Sequence, residues 1–284
     1  MKNAPEYYAE FRRGGWTEAT ARTPGRHEMV AAAFDWLGGR TVMELRSEYP
    51  IIDGQLRALE QIEASLLEVV PNLAGFSRWV QPLINDLHEL WFEKEDRDVK
   101  VSFWGKSPAA DFTFRWDQCV MAKIRSDDLP MIARALEGWL VEHAAPDEMR
   151  RRFPSIPISK VADFYAAGQP IEGEFLESWD RIEKFFAENS WPGRQNAMGL
   201  VTAMRQAGYD RKLRAGQSML TLMVSRSRRH GLRAGHPCIQ FFFSVGGIRM
   251  VPELDGEREL QLPIPALNPS AIALLDRLAA RPVE

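Results

Sequence analysis

The chain has 284 residues, 45% of them hydrophobic and 26% charged, with a formal net charge of −3. That length suffices for roughly two ordinary domains or one large one, with a core that needs no disulfide or metal, and the composition excludes general disorder. The charge balance gives no overall pull toward nucleic acid or an anionic membrane, although a local basic patch can still bind either.

The opening residues, MKNAPEYYAEFRRGGW, are broken by charge throughout and lack the apolar core of a signal peptide. No apolar run approaches the roughly 20 residues that span a bilayer, so the expected location is cytoplasmic. Cys119 and Cys238 both sit in apolar, strand-like contexts and read as buried thiols of a reducing compartment rather than as a disulfide.

Residues 1–25 read as a lead-in, with a short helix over Pro5–Arg12. From Arg26 to Leu37, the spacing of Met29, Val30, Ala33, Phe34 and Leu37 predicts an amphipathic helix, ended by Gly38-Gly39. A second short helix closes at Tyr49-Pro50, because the residue before proline is pushed out of the helical region. Leu56, Leu59, Ile62, Leu66 and Val69 trace one face of a helix that Pro71 stops. A further helix is predicted over Gly75–Phe92 from Phe76, Trp79, Leu83, Leu87 and Leu90, with Pro82 as a kink or a later start. The charged run Glu93–Asp98 reads as a solvated turn.

There the period changes to two. Val99–Gly105, Asp111–Trp116 and Gln118–Ile124 read as three strands, the first two joined by a short connection that holds Lys106 and Pro108. Asp128 and Pro130 then open a helix. Beyond it come helices around Trp179 and over Arg194–Ala207. Strands follow over Ser218–Arg226, Cys238–Val245 and Gly247–Leu254, with an edge piece at Leu260–Pro263 and a last helix over Ser270–Leu278.

This order carries a repeat. MVAAAFDWLGGRTVMELRSEYPII, Met29–Ile52, and MIARALEGWLVEHAAPDEMRRRFPSI, Met131–Ile156, share a Trp-Leu pair (Trp36-Leu37, Trp139-Leu140), an arginine (Arg46, Arg150), an aromatic-Pro pair (Tyr49-Pro50, Phe153-Pro154) and an isoleucine (Ile52, Ile156), in register apart from small gaps. The expected architecture is α+β: a tandem duplication of a unit made of helices and a three-stranded antiparallel sheet, closed by a C-terminal helix. The boundaries are a lead-in over 1–25, a first repeat over 26–129 and a second over 130–284. The two sheets either join into one of six strands or stay apart.

Chemistry is far less legible than architecture. No phosphate-binding glycine loop, zinc-type spacing or HExxH occurs, so no metal or cofactor is expected. His88-Glu89 reads as an ordinary helix-surface pair, and the basic run Asp147–Phe153 as a solvated helix face. Least like background is SRSRRHGLRAGHPC, Ser225–Cys238, which carries Arg226, Arg228, Arg229, His230, Arg233 and His236. Arginine forks grip carboxylate or phosphate in a bidentate way, and Gly231 and Gly235 let a loop fold around such a group. Those six residues are the candidate ligand-binding set; the alternative is a solvated loop whose charges block sheet-edge association.

From the Trp139-Leu140 helix through Phe153-Pro154, the segment ending in Gly168-Gln169-Pro170, the Trp179 helix and TLMVSRS, the chain resembles a bacterial domain family of unassigned function. Its members are commonly labelled natural product biosynthesis proteins. The resemblance implies a context and no reaction. The expectation is a binding or accessory protein for a peptide or small anionic metabolite. The alternatives are an immunity-type protein that binds a partner protein and an enzyme whose residues meet only in the fold. No nucleic acid or membrane partner is expected.

Overall fold

A computed structural model describes residues 7–13, 16–80, 89–103, 109–228, 236–254, 256–262 and 267–283. Packing divides the α+β chain into two units, Met1–Ser159 and Lys160–Glu284.

The first unit begins with a hairpin, β1 (Tyr7–Arg13) against β2 (Trp16–Thr23), where a helix was expected over Pro5–Arg12. The cause is alternation: Phe11 is buried between exposed Glu10 and Arg12, as a strand with one inward face requires. With Ala19 and Ala21 of β2, Phe11 packs on Met29 and Ala32 of α1 (Arg26–Leu37), Leu45 of α2 (Val42–Glu48) and Ile52. The lead-in is therefore part of a core. Buried Asp53 fastens it, accepting from the Thr20 amide (2.9 Å) and from Arg46 Nε (2.6 Å).

After α3 (Gly54–Val69) and a 3-10 turn over Pro71–Gly75 come β3 (Ser77–Val80), β4 (Glu89–Lys94), β5 (Arg97–Ser102), β6 (Ala110–Trp116) and β7 (Cys119–Ser126). They form one antiparallel meander in that order. The helix expected over Gly75–Phe92 is thus replaced by strand at both ends: Leu90 and Phe92 are fully buried on one face and half-buried Trp91 lies on the other. Pro82, Leu83, Leu87 and His88, like Lys106 and Pro108, lie outside the described residues. Leu90, Phe92, Val99, Val101, Phe112 and Phe114 line the inner face of the sheet.

α4 (Leu129–Leu136), N-capped by Asp128, packs on α3 and runs into a π turn over Glu137–Val141, followed by α5 (Pro146–Arg152). Arg97 holds this turn. It is 4% exposed, lies between the rings of Trp116 and Trp139 (4.1 and 4.4 Å to the centroids) and donates from Nη1 to the carbonyls of Trp139 (3.1 Å) and Ala144 (3.0 Å). Burial lowers its pKa, and Asp96 nearby works the other way.

The second unit holds α6 (Val161–Ala166), α7 (Pro170–Glu188), α8 (Arg194–Gln206), then β8 (Arg214–Ser218), β9 (Thr221–Ser225), β10 (Cys238–Ser244), β11 (Gly247–Glu253), β12 (Leu260–Leu262) and α9 (Pro269–Ala279). The strands again form an antiparallel meander in chain order. Trp179, Ile182 and Phe186 of α7, Leu200 and Met204 of α8, and Leu274 and Leu278 of α9 close over Leu222, Ile239, Phe241 and Met250. Each large side chain so buried contributes about 1.5–3 kcal/mol. Gly173 is where α6 meets α7: a Cβ there would stand 2.6 Å from the Phe164 Cβ.

The sheets have five strands each rather than three, and they are two sheets rather than one of six. The strand expected over Ser218–Arg226 is β9 alone, preceded by a turn at Met219, which takes φ 53°; β8, over Arg214–Ser218, was not expected. Both units run from helices to a meander to a helix, but the first opens on the β1-β2 hairpin, and the shared order does not establish a duplicated unit. The two Trp-Leu pairs nevertheless differ in setting: Trp36 is half-buried in an α-helix with Leu37 exposed, and Trp139 is fully buried in a π turn. Both stretches belong to the first packing unit.

Candidate anion-binding site

β9 ends at Ser225, and the chain continues through Arg226, Ser227 and Arg228; it returns at His236 and Pro237 to start β10. Arg229, His230 and Arg233 lie outside the described residues. The two stems border a shallow, open depression whose lining includes Ser225, Arg226, Ser227 and His236 with Leu278 and Arg281 from the end of α9. Its described lining brings three basic residues together and includes no carboxylate.

Arg226 is half-buried there and bridges two helix ends. Its Nε donates to the Arg281 carbonyl (2.9 Å) just past α9, and its Nη1 to the Lys212 carbonyl (2.5 Å) just past the 3-10 turn Tyr209–Arg211. The guanidinium carbon lies 5.8 Å from the Phe175 ring centre. Helix C-termini carry partial negative charge and offset part of the cation. No carboxylate among the described residues pairs with it, and burial lowers its pKa. A guanidinium has five N–H groups, so donors remain for a further acceptor.

Arg228, two residues on, is engaged differently. Nε and Nη2 both donate to Oε1 of Glu174 on α7 (2.9 and 2.8 Å), and Nη2 also reaches the hydroxyl of Tyr165 on α6 (3.2 Å). Tyr165 in turn donates to the same carboxylate oxygen. Burial works against the Arg228 charge, but Glu174 more than reverses this and its pKa is raised. Arg228 thus anchors the start of the loop to the two helices, and its own carbonyl accepts from Arg214 (2.9 Å).

The six candidate residues therefore split. The structure gathers Arg226 and His236 around the cleft and commits Arg228 to Glu174. Sequence reasoning missed Arg281, the Lys212 carbonyl and Glu174. A signal for Glu174 existed: it lies on the buried side of α7, beside Phe175 and one turn before Ser178, and is 8% exposed. A charged residue on a buried stripe calls for a partner.

The other candidates stay ordinary. In the Asp147–Phe153 run, Arg150 pairs with Asp147 (2.7 Å), and Arg152 pairs with Glu142 and Glu148. Glu89 lies on β4, where it pairs with Lys100 and accepts from Trp91 Nε1 (3.1 Å). Neither Cys119 nor Cys238 is in a disulfide; burial and the hydrogen bond to Glu253 push the Cys238 thiol up to about 12. Among the described residues no group of three or more His, Cys, Asp or Glu is placed to hold a metal ion, and no helix is long and apolar enough to cross a membrane. Comparison with protein-family models, curated proteins and solved structures finds no match for this chain.

Proposed function

We propose that this chain is a non-catalytic binding or accessory protein that takes the anionic group of a small metabolite or peptide into the Arg226 cleft. The observation that supports this reading is a half-buried guanidinium with donors to spare and no carboxylate partner among the described residues, in a cleft lined by two further basic residues. A carboxylate or phosphate there would supply the countercharge and relieve the cost of burying the cation. On the resemblance to bacterial natural product biosynthesis proteins, the ligand would be an intermediate or peptide of such a pathway.

Thermal unfolding of the full chain against carboxylates, phosphates, nucleotides and short peptides tests the proposal. A ligand of the native state adds about 2.7 kcal/mol at a hundred times its Kd. The expected result is a rise in Tm with one anionic class that Arg226→Met abolishes and Glu174→Gln only weakens. A rise that persists in Arg226→Met removes the cleft from the reading.

A further inference from the structure

Two arginines border the cleft, and neither has a carboxylate partner among the described residues. Arg226, just past β9, uses Nε and Nη1 on carbonyls, which offset part of its charge. Arg281, just past α9, meets Arg226 through its backbone carbonyl. His236, two residues before β10, adds an imidazole to the same lining. The enclosed part of the cleft has room for little more than one water-sized group.

We propose that the group this cleft takes is a dianionic phosphate monoester rather than a carboxylate. The inference rests on the reading of the Arg226 cleft as an anion site, and names the class of its ligand. Arginine stays protonated near neutral pH, so the lining presents two fixed positive charges. A carboxylate brings one negative charge and leaves the second guanidinium uncompensated. A phosphate monoester carries close to two at neutral pH, with three acceptor oxygens on one phosphorus.

Size and shape narrow the class further. A dicarboxylate also carries two charges, but on separate carbons, and the cleft has room for one head group. A phosphodiester carries one charge per phosphate, which sets nucleic acid aside. Arg226, His236 and Arg281 come from three separate segments of the chain. The oxygens of a phosphoryl group point in three directions and can meet donors so placed, whereas the two of a carboxylate share a plane. The rest of the ligand stays at the mouth, against Pro237, Leu278 and Pro282.

Isothermal titration calorimetry of the full chain, at constant ionic strength and about pH 7.5 where the monoester is a dianion, compares phenyl phosphate, phenyl sulfate and benzoate. These put a tetrahedral dianion, a tetrahedral monoanion and a planar monoanion on the same ring. Phenyl phosphate is expected to bind about fivefold tighter than either monoanion, as one more partly exposed ion pair gives, and Arg226→Met to abolish all binding. Arg281→Met keeps the carbonyl that Arg226 uses and should narrow the gap to less than about twofold. Arg277→Met, on α9 but paired with Glu257, should leave it unchanged. O-phosphoserine, free and within a short peptide, tells a metabolite from a peptide as the carrier; tight binding of either supports the phosphate assignment. Phenyl sulfate or benzoate binding as tightly as phenyl phosphate, or a preference that survives Arg281→Met, overturns that assignment and leaves the anion site standing. No binding of any of the three, or binding that persists in Arg226→Met, overturns both.

Discussion

Glu174 is 8% exposed and holds Arg228, so neutralising it leaves a guanidinium buried against a group that no longer offsets it. Glu174→Gln is expected to cost about 3 kcal/mol in denaturant unfolding, and adding Arg228→Met to recover most of that loss, since an uncompensated charge costs more than the pair contributes. Arg226→Met carries no such penalty from a carboxylate. Two arginines that look alike in sequence thus differ in role. That difference is invisible in a single chain, because Glu174 lies 54 residues before Arg228 and Lys212 presents only a carbonyl.

Proton linkage follows from two other residues. Burial and Asp276 raise the Tyr209 hydroxyl from 10.0 to about 12, and burial and Glu253 raise Cys238 from 9.0 to about 12. Both groups favour the neutral form in the folded chain, so the folded state binds more protons than the unfolded one between these values. Their contribution to stability is whole below pH 9.0 and is lost on the way to about 12. Thermal melting in alkaline buffers should fall across that window, and Tyr209→Phe with Cys238→Ala should flatten the fall.

At the scale of elements, close approach rather than propensity decides α6 and α7. Gly173→Ala places a methyl against Phe164 and is expected to destabilise by about 1–3 kcal/mol, although alanine favours a helix; urea unfolding with Gly173→Ser beside it checks the trend. Strands with one polar face, such as β5 and β6, were legible from alternation. β3 and β4 were not, because Phe76, Trp79 and Leu90 fall at helical spacing by coincidence. β8 went unread and the strand after it was started too early, because apolar Met219 occupies a left-handed turn position that favours glycine or asparagine, so no turn residue marked the hairpin.

At the scale of the whole chain, the second unit contains its own core, from Trp179 to Leu278, and its own sheet. A fragment over 160–284 is expected to fold alone and unfold cooperatively, as circular dichroism and amide dispersion by NMR would show. The fold class could be read from the switch of period after the charged run Glu93–Asp98. The packing boundary at Ser159 could not, since α4, the π turn and α5 join the first unit through contacts such as Arg97 with Trp139, which sequence spacing does not announce.

Both sheets are meanders in which every strand pairs with its neighbour in the chain. Such pairings close short loops, and folds dominated by them reach the native state faster than those joined by distant strands. A ribosome adds about 5–20 residues per second, so the second unit takes many seconds to emerge. The first sheet, with α3 and the π turn packed against it, is complete once Ser159 is clear of the exit tunnel. Assembly then proceeds one sheet at a time, and unpaired strands of the two never have to sort themselves out together.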